Sequence, residues 1–215
     1  MNEVCIRKYK RADRQRIREI CYATAFKGES GDFFFDDKEI LSDIVTLYYT
    51  EYEPESIFVA EVKQNIVGYL TGCKDTKRYY YIWMRKILIP LIIKALFRGV
   101  IFNIKNLKFL YYTALSYMKK EFKRPVDIYE KYPAHFHINL IKDYRGRGIG
   151  SRLVYNFLDY LKRNNIKGLH IITASEKAKR FFEKCGFNLI YFQKISSLRF
   201  LLKEDILLYT LARLI

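Results

Sequence analysis

The chain has 215 residues, of which 50% are hydrophobic, and it carries 39 Lys and Arg against 23 Asp and Glu, a net charge of +16. This composition excludes a disordered chain, and the length suffices for one domain with a buried core. The longest apolar run, "ILIPLII" at residues 87–93, is far shorter than the roughly 20 residues that a membrane-spanning helix needs. We therefore predict a single cytoplasmic domain over residues 1–215 whose positive charge favours anionic partners.

The cysteines and histidines are spaced without a disulfide or metal-binding pattern. We expect buried free thiols in a reducing cytosol and no metal site, since neither CxxC nor HExxH occurs. The N-terminal stretch "MNEVCIRKYKRADRQ" has no apolar region, so no signal peptide is expected. The four cysteines are Cys5, Cys21, Cys73 and Cys185, and the three histidines are His135, His137 and His170.

The first third of the chain predicts a strand, two helices and a hairpin. "VCIRKYK" alternates apolar and polar residues as an edge-like strand does, and Asp13 is expected to cap the helix that follows. A second, short helix is expected at residues 38–48. The runs "SIFVAEV" (56–62) and "IVGYLTGC" (66–73) predict an antiparallel hairpin. The buried face of the first helix is expected to carry Ile17, Ile20, Cys21 and Thr24.

Residues 77–125 differ from the rest of the chain by their charge. They hold about twelve basic residues and one acid, Glu121, so roughly eleven of the sixteen excess positive charges lie there. The spacing predicts helices, with a kink or break at Pro90. We interpret residues 77–130 as a helical insertion, because the segment is too short to bury a core of its own. The face expected to be buried after residue 104 carries Ile104, Leu107, Leu110, Tyr111, Ala114, Leu115 and Met118.

The role of the insertion stays open at this point. It is either a packed cap with solvated lysines or a docking face for an anionic partner at residues 77–125, a membrane surface or an acidic substrate. Aromatic residues interleave with basic ones in "KRYYYIWMRK" and "KNLKFLYYT". That pattern also permits nucleic-acid contact, but no RNA-binding signature accompanies it.

The rest of the chain alternates strands and helices. Strands are predicted at "AHFHINLI", "GLHIITA", residues 187–195 and about 206–213. One helix ends near Asn164 or Asn165, and the next is capped by Ser175 and ends at Gly186. This order predicts an α/β or α+β sheet with helices on both faces. The expected buried faces carry Leu153, Val154, Phe157, Leu158 and Leu161 in the first helix, and Ala178, Phe181, Phe182 and Cys185 in the second.

The loop "KDYRGRGIG" between a strand and a helix has the features of an anion site. The first turn of a helix leaves N–H groups unpaired, and its dipole makes that end positive. Gly146, Gly148 and Gly150 let the backbone approach a phosphate, and Arg145 and Arg147 add positive charge. The spacing R-x-x-G-x-G fits neither the nucleoside-triphosphate loop nor the Rossmann fingerprint.

"YRGRGIGSRLV" resembles the acetyl-CoA pyrophosphate loop of the GNAT superfamily of N-acetyltransferases, and "SEKAKRFFEKCGF" resembles that family's next motif. "YPAHFHINL" narrows the resemblance to a bacterial subgroup similar to the acetyltransferase-like domain at the C-terminus of O-GlcNAcases. "IRKYKRADRQRIREICYATA" and "SIFVAEVKQNIVGYLTGCKD" look like the opening of that subgroup. The resemblance fades over residues 77–130. It implies the GNAT fold: a mixed, mostly antiparallel sheet that is splayed between its two central strands.

The resemblance also implies acetyl-CoA as co-substrate, with the pantetheine arm paired to strand backbone in the gap. That backbone would run from His137 to Ile141, and the pyrophosphate would lie on residues 145–150. Either Lys177 or Lys179 would lie near the phosphates. The implied cofactor-binding residues are Ile138, Asn139, Leu140, Ile141, Arg145, Gly146, Arg147, Gly148, Ile149, Gly150, Ser175, Lys177 and Phe182.

Acetyl transfer to an amine also calls for an acid that protonates the leaving thiolate. The resemblance places the family's usual tyrosine acid at Phe182, which has no proton to give. This departure has limited weight, because a thiol with a pKa of about 8.5 is already a fair leaving group. Water, Tyr132 or Tyr191 could replace the missing phenol.

The base that deprotonates the amine has three candidates. His135 and His137 lie two apart, on one strand face with Asn139, a position where relatives often carry an acid. A histidine with a pKa near 6.5 can accept the proton, whereas an asparagine cannot. Asp75 faces the cleft in the implied layout, or else it caps a turn. We predict a water-relayed base at Asp75 or His137, with Tyr132 as a candidate acid.

The resemblance therefore implies an N-acetyltransferase that moves an acetyl group from acetyl-CoA to a primary amine by direct transfer in a ternary complex. The alternative is a catalytically silent acetyl-CoA-binding module that acts through its basic insertion. The amine acceptor has no signature in the sequence, and a homodimer is left open.

Overall fold

The computed structural model describes residues 4–125 and 127–215. Met1 to Glu3, and Val126 within the predicted insertion, lie outside the described residues. The strands of the described part are β1 Cys5–Lys8, β2 Ile57–Val62, β3 Asn65–Cys73, β4 Ala134–Leu140, β5 Gly168–Thr173, β6 Asn188–Ile195 and β7 Ile206–Leu214. They form one sheet in the order β1-β2-β3-β4-β5-β7-β6.

The helices in the same residues are α1 Arg14–Ala23, α2 Lys38–Tyr52, α3 Thr76–Ile82, α4 Leu88–Phe97, α5 Ile104–Met118, α6 Ile128–Lys131, α7 Ile149–Arg163, α8 Glu176–Lys184 and α9 Arg199–Leu202. A π-helical turn, Trp83–Ile87, joins α3 to α4. Within the described ranges, no helix is both long and apolar enough to cross a bilayer.

The sheet is split between its central strands. β4 and β5 run parallel and pair at only two positions, Ala134 with Leu169 and His135 with His170. All other neighbouring strands pair antiparallel and over longer stretches. The prediction of a mixed, mostly antiparallel sheet that is splayed at its centre is therefore confirmed.

Helices cover both faces of the sheet, as predicted. The apolar stripe of α7 is fully buried on one face, and the predicted stripe of α1 is buried on the other. A side chain at Gly72 of β3 would lie 2.1 Å from the Phe157 ring, so only glycine allows α7 to lie this close to the sheet. Cys5 departs from the expected buried thiols because it lies on an edge strand and is exposed, whereas Cys21, Cys73 and Cys185 are buried.

The start of α1 differs from the prediction that Asp13 caps it. The Asp13 carboxylate binds the Arg7 guanidinium at 2.7 Å and accepts the Lys10 N–H at 2.7 Å, and it makes no cap hydrogen bond to α1. A carboxylate beside a guanidinium and an N–H group is already satisfied, so the contact ties the helix to β1. α2 also runs four residues past the predicted end, because Tyr48, Tyr49 and Tyr52 pack in the core.

The insertion is helical, and Pro90 lies in the first turn of α4, directly after the π-helical turn. This position suits proline, which has no N–H to donate. The expectation that the apolar stripe of α5 is buried is wrong, since Ile104, Tyr111 and Met118 are exposed. The inner side of α5 carries Asn106, Phe109 and Ser116 instead.

Candidate active site

A cleft of about 1050 Å³ opens where β4 and β5 part. Its walls are the second half of β4, the end of β5, the segment 24–28 after α1, the start of α7 and one side of α8. The glycine loop lies at one end and His137 deeper along β4. The fold thus joins the predicted anion loop and the middle of the sheet in one cavity.

The glycine loop needs its glycines for backbone reasons. Gly146 and Gly148 both have φ of +75°, a left-handed conformation that L side chains rarely adopt. A Cβ at either position would meet nothing within 4 Å, so the space in front of the loop is open. Gly148 is also the N-cap of α7, whose first N–H groups have no helical acceptor. The loop therefore presents N–H donors to an unfilled part of the cleft.

Arg145 lines the cleft, and its guanidinium also bonds the backbone of the protein. Its Nε donates to the Leu140 carbonyl at 2.9 Å, and its Nη2 donates to the Gly28 carbonyl at 2.8 Å. The guanidinium therefore fastens the glycine loop to the end of β4 and to the opposite wall. Arg147 is exposed beside the Tyr144 ring and does not line the cleft.

Other cations line the cleft. Of the two lysines that the resemblance suggested, Lys177 lines it, while Lys179 pairs with Glu176 at 3.3 Å on another side of α8. Sequence reasoning missed Arg180 and Lys184, although their spacing from Lys177 by three and seven residues puts all three on one helix face. Lys27 on the opposite wall was also missed.

The wall formed by α8 follows the predicted motif. The Ser175 hydroxyl accepts the Ala178 N–H at 3.3 Å and caps the helix, as predicted. Phe181 packs against Gly150, where a Cβ would lie 3.1 Å from the ring. Phe182 is buried and lines the cleft, so the usual phenol position holds a ring that cannot donate a proton.

The second half of β4 provides the floor of the cleft. Ile138, Asn139 and Leu140 line it, whereas Ile141 turns away and donates its N–H to the Val67 carbonyl at 2.9 Å. Ile149 is buried in the core beneath the glycine loop. Cofactor contacts from β4 are therefore available over residues 138–140 and not at the last predicted position.

The two histidines of β4 have different surroundings. His135 is fully enclosed, with Nε2 bonded to the Tyr49 hydroxyl at 2.9 Å and Nδ1 bonded to the Thr76 hydroxyl at 2.7 Å. Burial lowers the pKa of His135 well below its usual value. Since both ring nitrogens are occupied, His135 holds the strand in place and is not available to a substrate.

His137 is open to the cleft. Its side chain is exposed to the cavity, and the ring packs edge-on against Tyr49 with centroids 5.8 Å apart. Desolvation by the surrounding protein lowers the pKa of His137 from its usual 6.5 to about 4. The ring is therefore neutral at pH 7 and able to accept a proton.

Asn139 lies on the same face as His137 but is engaged elsewhere. Its amide Nδ2 donates to the Thr24 hydroxyl and to the Thr24 carbonyl, the latter at 3.4 Å. These bonds hold the end of α1 against β4 and thereby position the segment 24–28. Asn139 thus fixes a cleft wall.

The structure corrects the placement of Asp75. Its carboxylate caps α3 by accepting the Lys77 N–H at 2.8 Å and the Arg78 N–H at 3.1 Å, and it does not line the cleft. The reason is the strand register. Cys73 pairs with His135, at the level where β4 and β5 are still joined, so Asp75 lies beyond the closed end of the split.

Tyr132 also lies at the closed end. Its carbonyl accepts the His170 Nδ1–H at 2.7 Å, and its ring lies against Gly168 at the start of β5. Tyr191 lies in β6, and neither tyrosine lines the cleft. Among the predicted catalytic residues, the geometry brings only His137 to the cleft.

The architecture is the GNAT fold. The model of the acetyltransferase (GNAT) family matches residues 124–187, which include β4, the glycine loop, β5 and α8. Solved structures of similar fold superpose along nearly the whole length of the chain, with 99% of it covered by one of them.

Three of these structures illustrate the likeness. A protein described as SsHAT has 22% identity and a TM-score of 0.73, with 99% of this chain and 98% of that one covered. The Drosophila melanogaster polyamine N-acetyltransferase has 12% identity and a TM-score of 0.65, with coverage of 99% and 100%. YncA, a putative acetyltransferase from Salmonella typhimurium solved with acetyl-CoA, has 12% identity and a TM-score of 0.61, with coverage of 99% and 94%.

Proposed function

We propose that this protein is an acetyl-CoA-dependent N-acetyltransferase that transfers the acetyl group directly to a primary amine within a ternary complex. The observation that carries the proposal is the cleft between β4 and β5, which joins an open glycine loop to a neutral histidine. The similar Salmonella typhimurium structure holds acetyl-CoA, which supports this choice of co-substrate.

In this proposal the coenzyme binds along the cleft. The N–H groups of residues 146–150 hold the diphosphate, and Lys177 and Arg180 add positive charge from α8. The pantetheine amides pair with the free edge of β4 at residues 138–140, as an added strand would. The thioester then lies near His137.

The proposed chemistry needs only groups that line the cleft. An ordinary amine has a pKa of about 10.4, so it must lose a proton before it attacks the thioester carbon. Neutral His137 accepts that proton through a water molecule, and a β4 N–H stabilises the oxygen that becomes negative. The carbon–sulfur bond then breaks, and the thiolate leaves without help from Phe182.

A screen of amines for release of free CoA tests the proposal. The pool should hold small polyamines and peptides with free N-termini, since similar structures include a polyamine N-acetyltransferase and a ribosomal-protein-alanine N-acetyltransferase. We expect thiol release that depends on both acetyl-CoA and one class of amine. Tight binding of acetyl-CoA with no thiol release from any amine would favour the silent binding module.

The narrower kinship with the acetyltransferase-like domain of O-GlcNAcases, the cytoplasmic location and the homodimer stay predictions.

The range of acceptors named for similar structures is wide, from polyamines and agmatine to a ribosomal protein. Identities of 12–15% in these three do not choose among them. The acceptor class is therefore decided by the amine screen.

Replacing Phe182 by tyrosine is expected to raise kcat, because a phenol at this cleft-lining position can protonate the leaving thiolate. The gain should stay below about ten-fold, since the thiolate already leaves readily at a pKa of about 8.5. CoA release at saturating amine measures it. Phe181→Tyr is the matched control, since Phe181 lines the same cleft on the same helix. An equal gain in both variants would contradict a specific role for residue 182.

A further inference from the structure

The corner between α4 and α5 carries the most exposed large apolar side chains of the described residues. The side chains of Phe97 and Phe102 are 90% and 86% exposed. Single exposed apolar residues are ordinary, but a dense group from one segment marks an interaction site. We call this group the α4–α5 apolar surface. Its members are Ile89, Ile92, Ile93, Leu96, Phe97, Ile101, Phe102, Ile104, Leu107, Leu110, Tyr111 and Met118.

The outward direction of this surface is fixed by contacts on the inner side of both helices. Asn106 of α5 accepts the Asp36 N–H through Oδ1 at 2.8 Å. The other contacts are ion pairs to acids at or near the start of α2: Lys94–Asp43 at 2.6 Å, Arg98–Asp37 at 2.8 Å and Lys105–Asp36 at 2.6 Å. Rotating either helix to bury its apolar stripe would break these polar contacts, which is costly.

The charge around the surface determines what can cover it. The inner cations are neutralised by the acids that they contact. Arg85, Lys108, Lys120 and Lys123 make no ion pair within the described residues, and Glu121 accepts hydrogen bonds from Ser196. These cations lie within α5 or close to the ends of α4 and α5 in the chain. Two helices with exposed apolar side chains and such unpaired cations fit an anionic lipid surface.

A second copy of the chain fits less well. Two such surfaces placed face to face would bring like charges together, because residues 77–125 hold about twelve basic residues and one acid. An anionic bilayer satisfies both the apolar and the charged parts of the surface. No described helix is able to cross a bilayer, so the contact would lie in the plane of the interface.

We infer that the α4–α5 apolar surface docks on an anionic lipid bilayer. Phe97 and Phe102 enter the boundary between head groups and acyl chains, and the unpaired lysines contact the lipid phosphates. This inference rests on the exposed side chains and their charge, and it does not depend on the proposed acetyl transfer.

Co-sedimentation of the full chain with vesicles tests the inference. We expect partition onto vesicles of phosphatidylcholine mixed with phosphatidylglycerol, weak partition onto phosphatidylcholine alone, and loss of binding at high salt. The double variant Phe97→Ser with Phe102→Ser should lower the partition coefficient by about ten-fold or more, because it removes both rings that enter the bilayer interface. Both rings are almost fully exposed, so the variant keeps its folded core.

Matched controls separate the loss of vesicle binding from the effect of removing any exposed aromatic ring and from the effect of changing the net charge. Phe192→Ser removes a 62% exposed ring on β6 and should leave the partition unchanged. Lys108→Glu with Lys120→Glu should weaken binding to anionic vesicles far more than Lys162→Glu with Lys167→Glu, an equal charge change at exposed positions in and just after α7.

Three outcomes would overturn the inference. The first is no partition onto anionic vesicles, and the second is equal partition of the wild type and the double phenylalanine variant. The third is a dimer in sedimentation equilibrium that the double variant dissociates while vesicles stay unbound, because the surface would then belong to a second copy.

Discussion

Replacing Gly148 by valine is expected to weaken acetyl-CoA binding by about 100-fold or more, which corresponds to about 2.7 kcal/mol. Gly148 has a φ of +75°, and a Cβ there would point into open space in front of the loop. That space is where the diphosphate is proposed to lie, so the valine side chain displaces it from the N–H donors. Isothermal titration with acetyl-CoA measures the change.

Gly99 provides a control for backbone strain. It has a φ of +68° in the α4–α5 corner, and its nearest Cβ contact would be Phe102 at 3.4 Å. Gly99→Val therefore introduces similar strain far from the cleft and should leave the affinity for acetyl-CoA unchanged. Equal losses in the two variants, or none in Gly148→Val, would contradict the assignment of the loop.

Gly148 is also a sharper test than Arg145. Arg145 donates to the carbonyls of Leu140 and Gly28, so its replacement would loosen two walls of the cleft as well as remove a charge. A loss of affinity in an Arg145 variant would therefore not separate phosphate contact from the positioning of the loop.

Replacing His137 by alanine is expected to lower kcat by about 100-fold or more while acetyl-CoA affinity stays unchanged, because general-base catalysis contributes about that much. The neutral ring is the base, and the protein lowers the pKa of His137 below 6.5. The wild-type rate should therefore hold at pH 7 and fall only as the pH approaches about 4, where the ring becomes protonated. Rates measured across pH should lose this acid limb in His137→Ala.

Asp75→Asn is the informative comparison for His137→Ala. Asparagine caps a helix about as well as aspartate, so the α3 cap persists while the carboxylate is removed. We expect a rate near that of the wild type. A large loss in Asp75→Asn together with an active His137→Ala enzyme would instead assign the base to Asp75 through a longer water chain.

Local signals in the sequence predicted most of the fold. The stripe of α7, the Ser175 cap of α8 and the left-handed glycine at the end of α8 each depend on residues within one or two turns. Each of these features depends on residues close to it in sequence, so periodicity and capping rules identify it. The turn of the glycine loop is a further local feature, because glycine is the residue type that readily adopts the left-handed conformation of Gly146 and Gly148.

The same short-range rules could not predict features that depend on contacts between residues far apart in sequence. The pattern of α5 shows which side of the helix is apolar but not whether that side is covered, and Ile104 and Met118 prove to be exposed. The distance of Asp75 and Tyr132 from the cleft follows from the strand register and the pairing of His135 with His170. Neither fact can be derived from residues close in sequence.

Beyond His135, β4 keeps a partner strand on one side only, so the main-chain groups on its other side face the cleft. Unpaired strand borders usually attract other chains and promote aggregation. Here α8 and the segment 24–28 line the cleft along this border. The centre of the sheet thus keeps main-chain N–H and C=O groups of β4 without a strand partner, and these groups face a cleft instead of the outer edge of the sheet.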